Sequence, residues 1–471
     1  MSQTFRSLRY PNYRLYFTGA LVSNVGTWMS RVAQDWLVLT VLTPGSSLAL
    51  GIVTGLQFLP MLLLAPYGGV LADRFSKRRI LTWTQLGMAV TGLLLAVLTV
   101  THEVQLWHVY AIAFAFGCIT AIDNPARQSF VSELVPEADI PNAVGLNSAS
   151  FNFARLLGPG TAGLLIAFVG IAPAFFINTA SFAAVMIALR LMKPELLSPA
   201  KPVVRGRGQL RAGLRYVRGE PRILLLLVIV FFFGTFCMNF QITNALMAVQ
   251  VFHKGAAEYG LLGSIMAIGS LSAALLAARR KVPSLRVLII ALVGFAVTST
   301  VAGLAPNYVV FAIALVPLGL SALTVMTTAN ASVQLAADPQ MRGRVMALYM
   351  AVFMGGTPIG SPIIGWVGEA FGARWTILIG SIVALLVAVA ATLTLMRRRK
   401  VSVGNLSGLV HIPARTHGPT SSQLLLGLSV RRREASVPPH RVSAAETAVA
   451  ATWARPASSR AIGTRNGEHE T

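Results

Sequence analysis

The sequence predicts an all-α polytopic membrane protein whose twelve transmembrane helices form two six-helix pseudo-repeats. Three observations predict it. Apolar runs recur from about Leu15 to Met396 with brief polar interruptions, and a helix needs roughly 20 largely apolar residues to cross a bilayer. The chain is 55% hydrophobic and only 12% charged, whereas soluble domains carry about 25% charged residues. The bases cluster in alternate loops: Arg74 to Arg79, Arg205 to Arg222, Arg279 to Arg286, Arg342 with Arg344, and Arg397 to Lys400.

By the positive-inside rule those loops face the cytoplasm. The intervening loops, such as Thr43 to Ser47 and Ala305 to Tyr308, are nearly free of bases, Lys254 and Arg374 excepted. Both termini therefore fall inside a bacterial inner membrane. The same placement accounts for the formal net charge of +23 without a nucleic-acid partner. The apolar run behind Arg6, Arg9 and Arg14 has spanning length and no Ala-x-Ala-like cleavage site, so it reads as a retained helix and not a signal peptide.

In order, the expected spans are 14–41, 47–72, 79–101, 106–131, 142–168 and 172–193, making a first bundle over 1–193. A basic cytoplasmic linker follows at 194–221, with an amphipathic helix at Leu210 to Arg218 suited to a membrane surface. Spans at 222–252, 257–279, 285–304, 308–332, 343–368 and 373–396 make the second bundle, 222–396. Residues 397–471, rich in Ser, Ala, Pro and Arg, read as a disordered basic cytoplasmic tail able to touch anionic lipid.

The halves echo each other, as internal repeats do. Asn124 and Gln128 in the fourth span share the spacing of Asn330 and Gln334 in the tenth, which puts both amides on one helix face. The fifth span carries Gly145, Gly158, Pro159 and Gly163, and the eleventh carries Gly355, Gly356, Pro358, Gly360, Pro362 and Gly365. Both read as close-packing, bendable helices. Cys118 and Cys237 sit inside spans with no paired spacing, which points away from a disulfide framework or a metal site. No phosphate-binding glycine loop precedes Lys-Ser or Lys-Thr, and no acid or histidine cluster suggests an enzyme. Neither a metal nor a cofactor is implied.

The turn Gly69-Val-Leu-Ala-Asp73-Arg74-Phe-Ser-Lys77-Arg78-Arg79 joins two long apolar segments and resembles the loop 2–3 signature of the major facilitator superfamily of transporters. Asn24 to Arg31, Phe58 to Pro60, Asn147 to Gly163 and Arg342 to Leu348 extend the likeness over about residues 1–396, nearest to the enterobactin-exporter-like branch of its efflux proteins. That resemblance implies a monomeric secondary transporter working by alternating access on a small amphipathic molecule, a siderophore or a drug, with proton antiport. Uptake by the same fold, and a transport-inactive sensor or scaffold, remain alternatives. In the superfamily the acid of this loop caps a helix of the opposite half, so Gly69, Asp73, Arg74 and Arg78 are expected to form a gating loop whose partner is the start of the eleventh span. Lys77 and Arg79 read as topology signals. Ser76 departs from the family's usual glycine.

Charges inside spans cost about 2.5–3.5 kcal/mol each on insertion scales, so each needs a use. Arg31 with Asp35, and Asp123 with Arg127, are spaced i, i+4 and can each pair along one helix face. Arg155 is a fifth intramembrane charge. The resemblance puts the first and fourth helices beside the substrate path, which makes Asp35, toward the outer half of its span, and then Asp123 the candidates for proton coupling. Arg31, Arg127 and Arg155 form an expected charge network that favours an anionic or catechol-bearing molecule. Many proton-coupled drug exporters of the superfamily carry an arginine where Ala113 stands here. The fifth helix approximates their antiporter motif, with Ala154 and Ala162 in place of glycines. Phe236, Asn239, Phe240, Gln241 and Asn244 of the seventh span, with Asn330 and Gln334, offer amides and aromatic surface to a substrate.

Overall fold

The computed structural model describes residues 3–198, 209–279 and 283–399. The expected tail beyond 399 and residues 199–208 of the expected linker lie outside the described residues. Every regular element among the described residues is helical. A 3-10 segment, Gln3–Arg9, leads into α1 (Pro11–Trp36), which continues as a π-helical turn, Leu37–Leu42. Then follow α2 (Ser47–Arg74), α3 (Lys77–Val100), α4 (Leu106–Phe130), α5 (Ile140–Val169) and α6 (Ala172–Leu191). The linker helix is α7 (Gln209–Gly219), and α8 (Pro221–Phe236) and α9 (Phe240–Leu246) share one span. The last five are α10 (Ala256–Ala278), α11 (Leu285–Gly303), α12 (Tyr308–Ala336), α13 (Arg342–Phe371) and, closing the series, α14 (Trp375–Arg399).

The helix starts are written locally. The Ser46, Ser284 and Asn307 side chains accept from the backbone N–H three residues on, which satisfies a donor the helix itself leaves open. Pro11, Pro141 and Pro221 stand at first-turn positions, where the missing N–H costs nothing.

Among the described residues, eleven segments are long and apolar enough to cross a membrane. α1 falls short because Asn12, Ser23, Asn24, Arg31, Gln34 and Asp35 dilute its apolar character. Its packing against α5 and α6, with Gly19 against Val185 and Ala188, is consistent with a twelfth span.

One expected span differs in form. The seventh, expected to be continuous over 222–252, breaks at Cys237 to Asn239. The Asn239 amide donates to the Thr235 carbonyl at 2.7 Å, so a side chain takes up an acceptor that the backbone ladder releases. Its far end turns π-helical at Met247–Val251, as α1 does at Leu37–Leu42. Such local π segments often mark functional positions, and finding one at the same place in both spans deepens the internal repeat.

α1 to α6 pack among themselves, as do α8 to α14. Two antiparallel crossings join the sets. On α2 and α13, Ser47 faces Gly368, Gly51 faces Ser361 and Gly365, and Leu62 faces Gly355. On α5 and α10, Gly163 meets Ala256 and Ala257, while Gly260 meets Pro159. A methyl on Gly163 or Gly260 would overlap the facing backbone carbonyl, so these glycines let the helices touch along their main chains.

Candidate functional site: a sealed helix end and an intramembrane charge cluster

Hydrogen bonds between the two sets gather toward the end holding Gly45, while deeper in the bundle Ser264 of α10 donates to the Leu156 carbonyl and accepts from the Gly160 N–H of α5. Asp35, 2% exposed, accepts from the Gln241 amide of α9 at 2.7 Å and from the Tyr259 hydroxyl of α10 at 2.9 Å. Trp36 stacks on the Tyr259 ring, centroids 6.2 Å apart. Nearby, Gln250 donates to the Gly45 carbonyl at 2.5 Å. The Glu369 carboxylate, in the last turn of α13, accepts from the Ser47 N–H at 2.8 Å and the Leu48 N–H at 3.3 Å. It thereby caps the start of α2, where open backbone donors and the helix dipole favour an anion.

The two i, i+4 charge pairs have different fates. Asp123 and Arg127 do pair, Nε to Oδ2 at 2.9 Å, and the other Asp123 oxygen accepts from Thr84 at 2.7 Å and Gln85 at 3.1 Å on α3. Asp123 thereby ties α4 to α3, with Arg127 of the same helix as its ion-pair partner. The expected Arg31–Asp35 pairing, by contrast, is absent among the described ion pairs, because the Asp35 carboxylate is turned toward α9 and α10. Arg31 instead lies over two rings, 5.1 Å from the Trp28 centroid and 5.6 Å from that of Phe58. Arg155 lies 6.0 Å from the Trp28 centroid on α5's side.

At the opposite end, Asp73 and Arg74 form the last turn of α2 and Gly69 is buried within it. Arg78 donates to the Leu189 carbonyl at 2.7 Å and the Arg190 carbonyl at 3.3 Å, a cation at the C-terminal dipole of α6. Lys77 pairs with Glu133 at 2.7 Å, both largely buried, so this base links the 2–3 and 4–5 loops. Asp139 gathers Arg6, Arg9 and Tyr10, fastening the N-terminal segment to the start of α5. The linker helix α7 packs on α13, and its Tyr216 hydroxyl accepts from the Asp338 N–H at 3.2 Å.

The seventh-span group divides. Phe236, Asn239 and Phe240 border a crevice shared with Phe295, Ser299 and Gly380, on the α11 and α14 side. Gln241 faces Asp35, and Asn244 is buried with its carbonyl oxygen unpartnered among the described residues. Asn330 accepts from Gln334 at 2.7 Å within α12. On α5, Gly158 packs on Trp28 and Pro159 on Gly260 and Gly263, whereas Gly145 faces open space.

Sequence reasoning missed Glu369, Tyr259, Gln250 and Glu133.

A family description, transmembrane secretion effector, matches residues 2–417. The chain belongs to this family of the major facilitator superfamily. Its relatives include YfiS, an uncharacterised major-facilitator-type transporter of Bacillus subtilis, 28% identical over 270 residues, 56% of this chain and 63% of that protein. The staphyloferrin A transporter of Staphylococcus aureus is 30% identical over 181 residues, 38% of this chain and 45% of its own length. The alignments thus span less than two thirds of either relative. Macrolide efflux protein A of Streptococcus pyogenes is 21% identical over 402 residues, 83% of this chain and 98% of that one. A solved bacterial homologue of the lysosomal transporter spinster, inward-facing and unoccupied, superposes with TM-score 0.65 at 14% identity, covering 81% of this chain and 97% of that one. That likeness supports the fold. Membership places this chain in a family of multi-span membrane proteins whose relatives named above are bacterial transporters.

Proposed function

We propose that this transporter exports a small amphipathic molecule, a siderophore or a drug, across the bacterial inner membrane by alternating access, in exchange for protons. The bundles 1–193 and 222–396 rock against each other, with 194–221 as the cytoplasmic linker, the tail from 397 and both termini inside, in a single copy surrounded by lipid. The observation that carries this reading is the hydrogen-bonded closure at the end holding Gly45. The hydrogen bonds through Asp35, Gly45 and Glu369 seal the end that the positive-inside rule assigns to the outside. A relative named for macrolide efflux supports the direction.

In this mechanism Asp35 is the coupling site. Protonation from outside weakens its hold on Gln241 and Tyr259 and releases the outer seal, and return of the proton inside restores it. Asp73 works with the start of α13 as the cytoplasmic latch, and Gly69, Arg74 and Arg78 shape that loop. The α5 residues Gly158, Pro159 and Gly163 supply the rolling contact with α10, and Gly145 the bend beyond it. Gln241, Asn244, Asn330 and Gln334 contact substrate from the second bundle, with Phe236, Asn239 and Phe240 behind them. Asp123 and Arg127 fix the α3–α4 frame. Reconstituted vesicles carrying an imposed pH gradient test this: proton-driven accumulation of a siderophore or drug is expected, and accumulation with the opposite dependence on the gradient would replace export by uptake.

A further inference from the structure

Two arginines of the first bundle, Arg31 and Arg155, approach the ring of Trp28, and the Asp35 carboxylate acts on the Arg31 charge without an ion pair between them among the described residues. Arg31 approaches its ring at 5.1 Å and Arg155 at 6.0 Å, and Phe151 packs edge-on to it at 5.9 Å. Among the described residues neither guanidinium makes an ion pair or a hydrogen bond. The Arg31 Nε is buried without a partner.

That is an unusual state for two cations inside spans. An aromatic face attracts a guanidinium but accepts none of its in-plane N–H bonds, and each arginine has five such donors. The other intramembrane charges show what a finished structural pair looks like here. Asp123 receives Arg127, Thr84 and Gln85, whereas Asp35, the acid one turn from Arg31, is committed to Gln241 and Tyr259 across the interface. Beside Arg31 lies a cavity of about 20 Å³ bordered by Thr27, Ser30, Gln34 and Gln57, enough for about one water and lined with further donors.

We propose that Arg31 and Arg155, with Trp28 between them, form the binding site for the carboxylate or ionised catechol groups of an anionic solute. The guanidinium forks match planar oxyanions, and Trp28 with Phe58 supplies flat apolar surface for the part of the solute between its charges. The site lies on α1, α2 and α5, so the first bundle carries the anion recognition while the second supplies amides. The proposal narrows the export reading to anionic cargo and rests on that reading for calling the ligand a substrate.

Equilibrium binding by calorimetry, on purified full-length protein in zwitterionic nanodiscs, tests it with citrate and 2,3-dihydroxybenzoate as probes. Binding of at least one probe is expected, weakened tenfold or more by Arg31→Gln or by Arg155→Gln and unchanged by Arg286→Gln, an exposed base in the first turn of α11. Arg155→Lys retains the charge and guards against misfolding. It is expected to bind more tightly than Arg155→Gln while weaker than wild type. Equal binding by wild type and both glutamine variants would overturn the site. So would displacement of the probe by phosphatidylglycerol at equimolar ratio, which would assign the arginines to lipid, or preferential binding of tetraphenylphosphonium, a cation. Probe binding without vesicle transport of any compound leaves the anion site standing and removes the export reading. Transport of cations alone does the reverse.

Discussion

Replacing Glu369 by glutamine isolates the charge of the outer seal. The carboxylate accepts the Ser47 and Leu48 N–H groups at 2.8 and 3.3 Å, and the glutamine carbonyl can still accept, so the loss is mainly charge against the α2 dipole. An anion at a helix start contributes about 0.3–1 kcal/mol, rising to about 2 when partly buried. A loss of 1–2 kcal/mol from the sealed state alone shifts the population of the outward-open state about 5- to 30-fold, at about 1.4 kcal/mol per tenfold. The assay is a cysteine placed at Ser361, which is fully buried against α2, in a background with Cys118 and Cys237 changed to serine. A membrane-impermeant maleimide added from outside labels it only when the seal opens. The labelling rate is expected to rise about 5- to 30-fold in Glu369→Gln. A rate within twofold of the parent, in protein that elutes as a single folded species, would refute the role of the cap.

The remaining predictions address the other parts of the machine. Asp73→Asn is expected to insert normally and lose transport, and near-normal flux would remove the latch. Asp35→Asn is expected to abolish pH-gradient-driven flux while leaving counterflow of substrate down its own gradient. Unchanged proton-coupled flux would end its role as coupling site. Asp123→Ala leaves Arg127 buried without its partner, which costs about 3–5 kcal/mol in comparable buried pairs, so a marked fall in thermal stability is expected, and an unchanged melting temperature would contradict the structural role. Gly260→Val drives a side chain into the Pro159 backbone and is expected to hold the outer end open, read as constitutive labelling at Ser361→Cys.

Much of the fold was legible because membrane crossing imposes length and apolarity on each segment. The order of helices, the linker helix and the glycine-faced fifth and eleventh spans follow directly. The break at Cys237 to Asn239 did not show, since neither proline nor glycine marks it and the side-chain hydrogen bond responsible is invisible in hydropathy. The charges divided along a physical line. Asp123 and Arg127 pair within one helix, so spacing alone found them. Asp35 has the same spacing from Arg31, but its partners Gln241 and Tyr259 come from the other half of the chain, and no local rule ranks a neutral amide and a phenol over an arginine one turn away. Glu369 escaped for the same reason: its partner is the backbone of a helix more than 300 residues earlier, and backbone N–H groups carry no sequence signature.

Proton-driven export itself is tested most directly in inside-out vesicles containing the protein, with an imposed pH gradient, a panel of labelled siderophores and amphipathic drugs, and empty vesicles as reference. Accumulation of a panel member that collapses on adding a protonophore is the expected result. Correctly inserted protein that accumulates none of them, or accumulates one regardless of the protonophore, would contradict proton-coupled export.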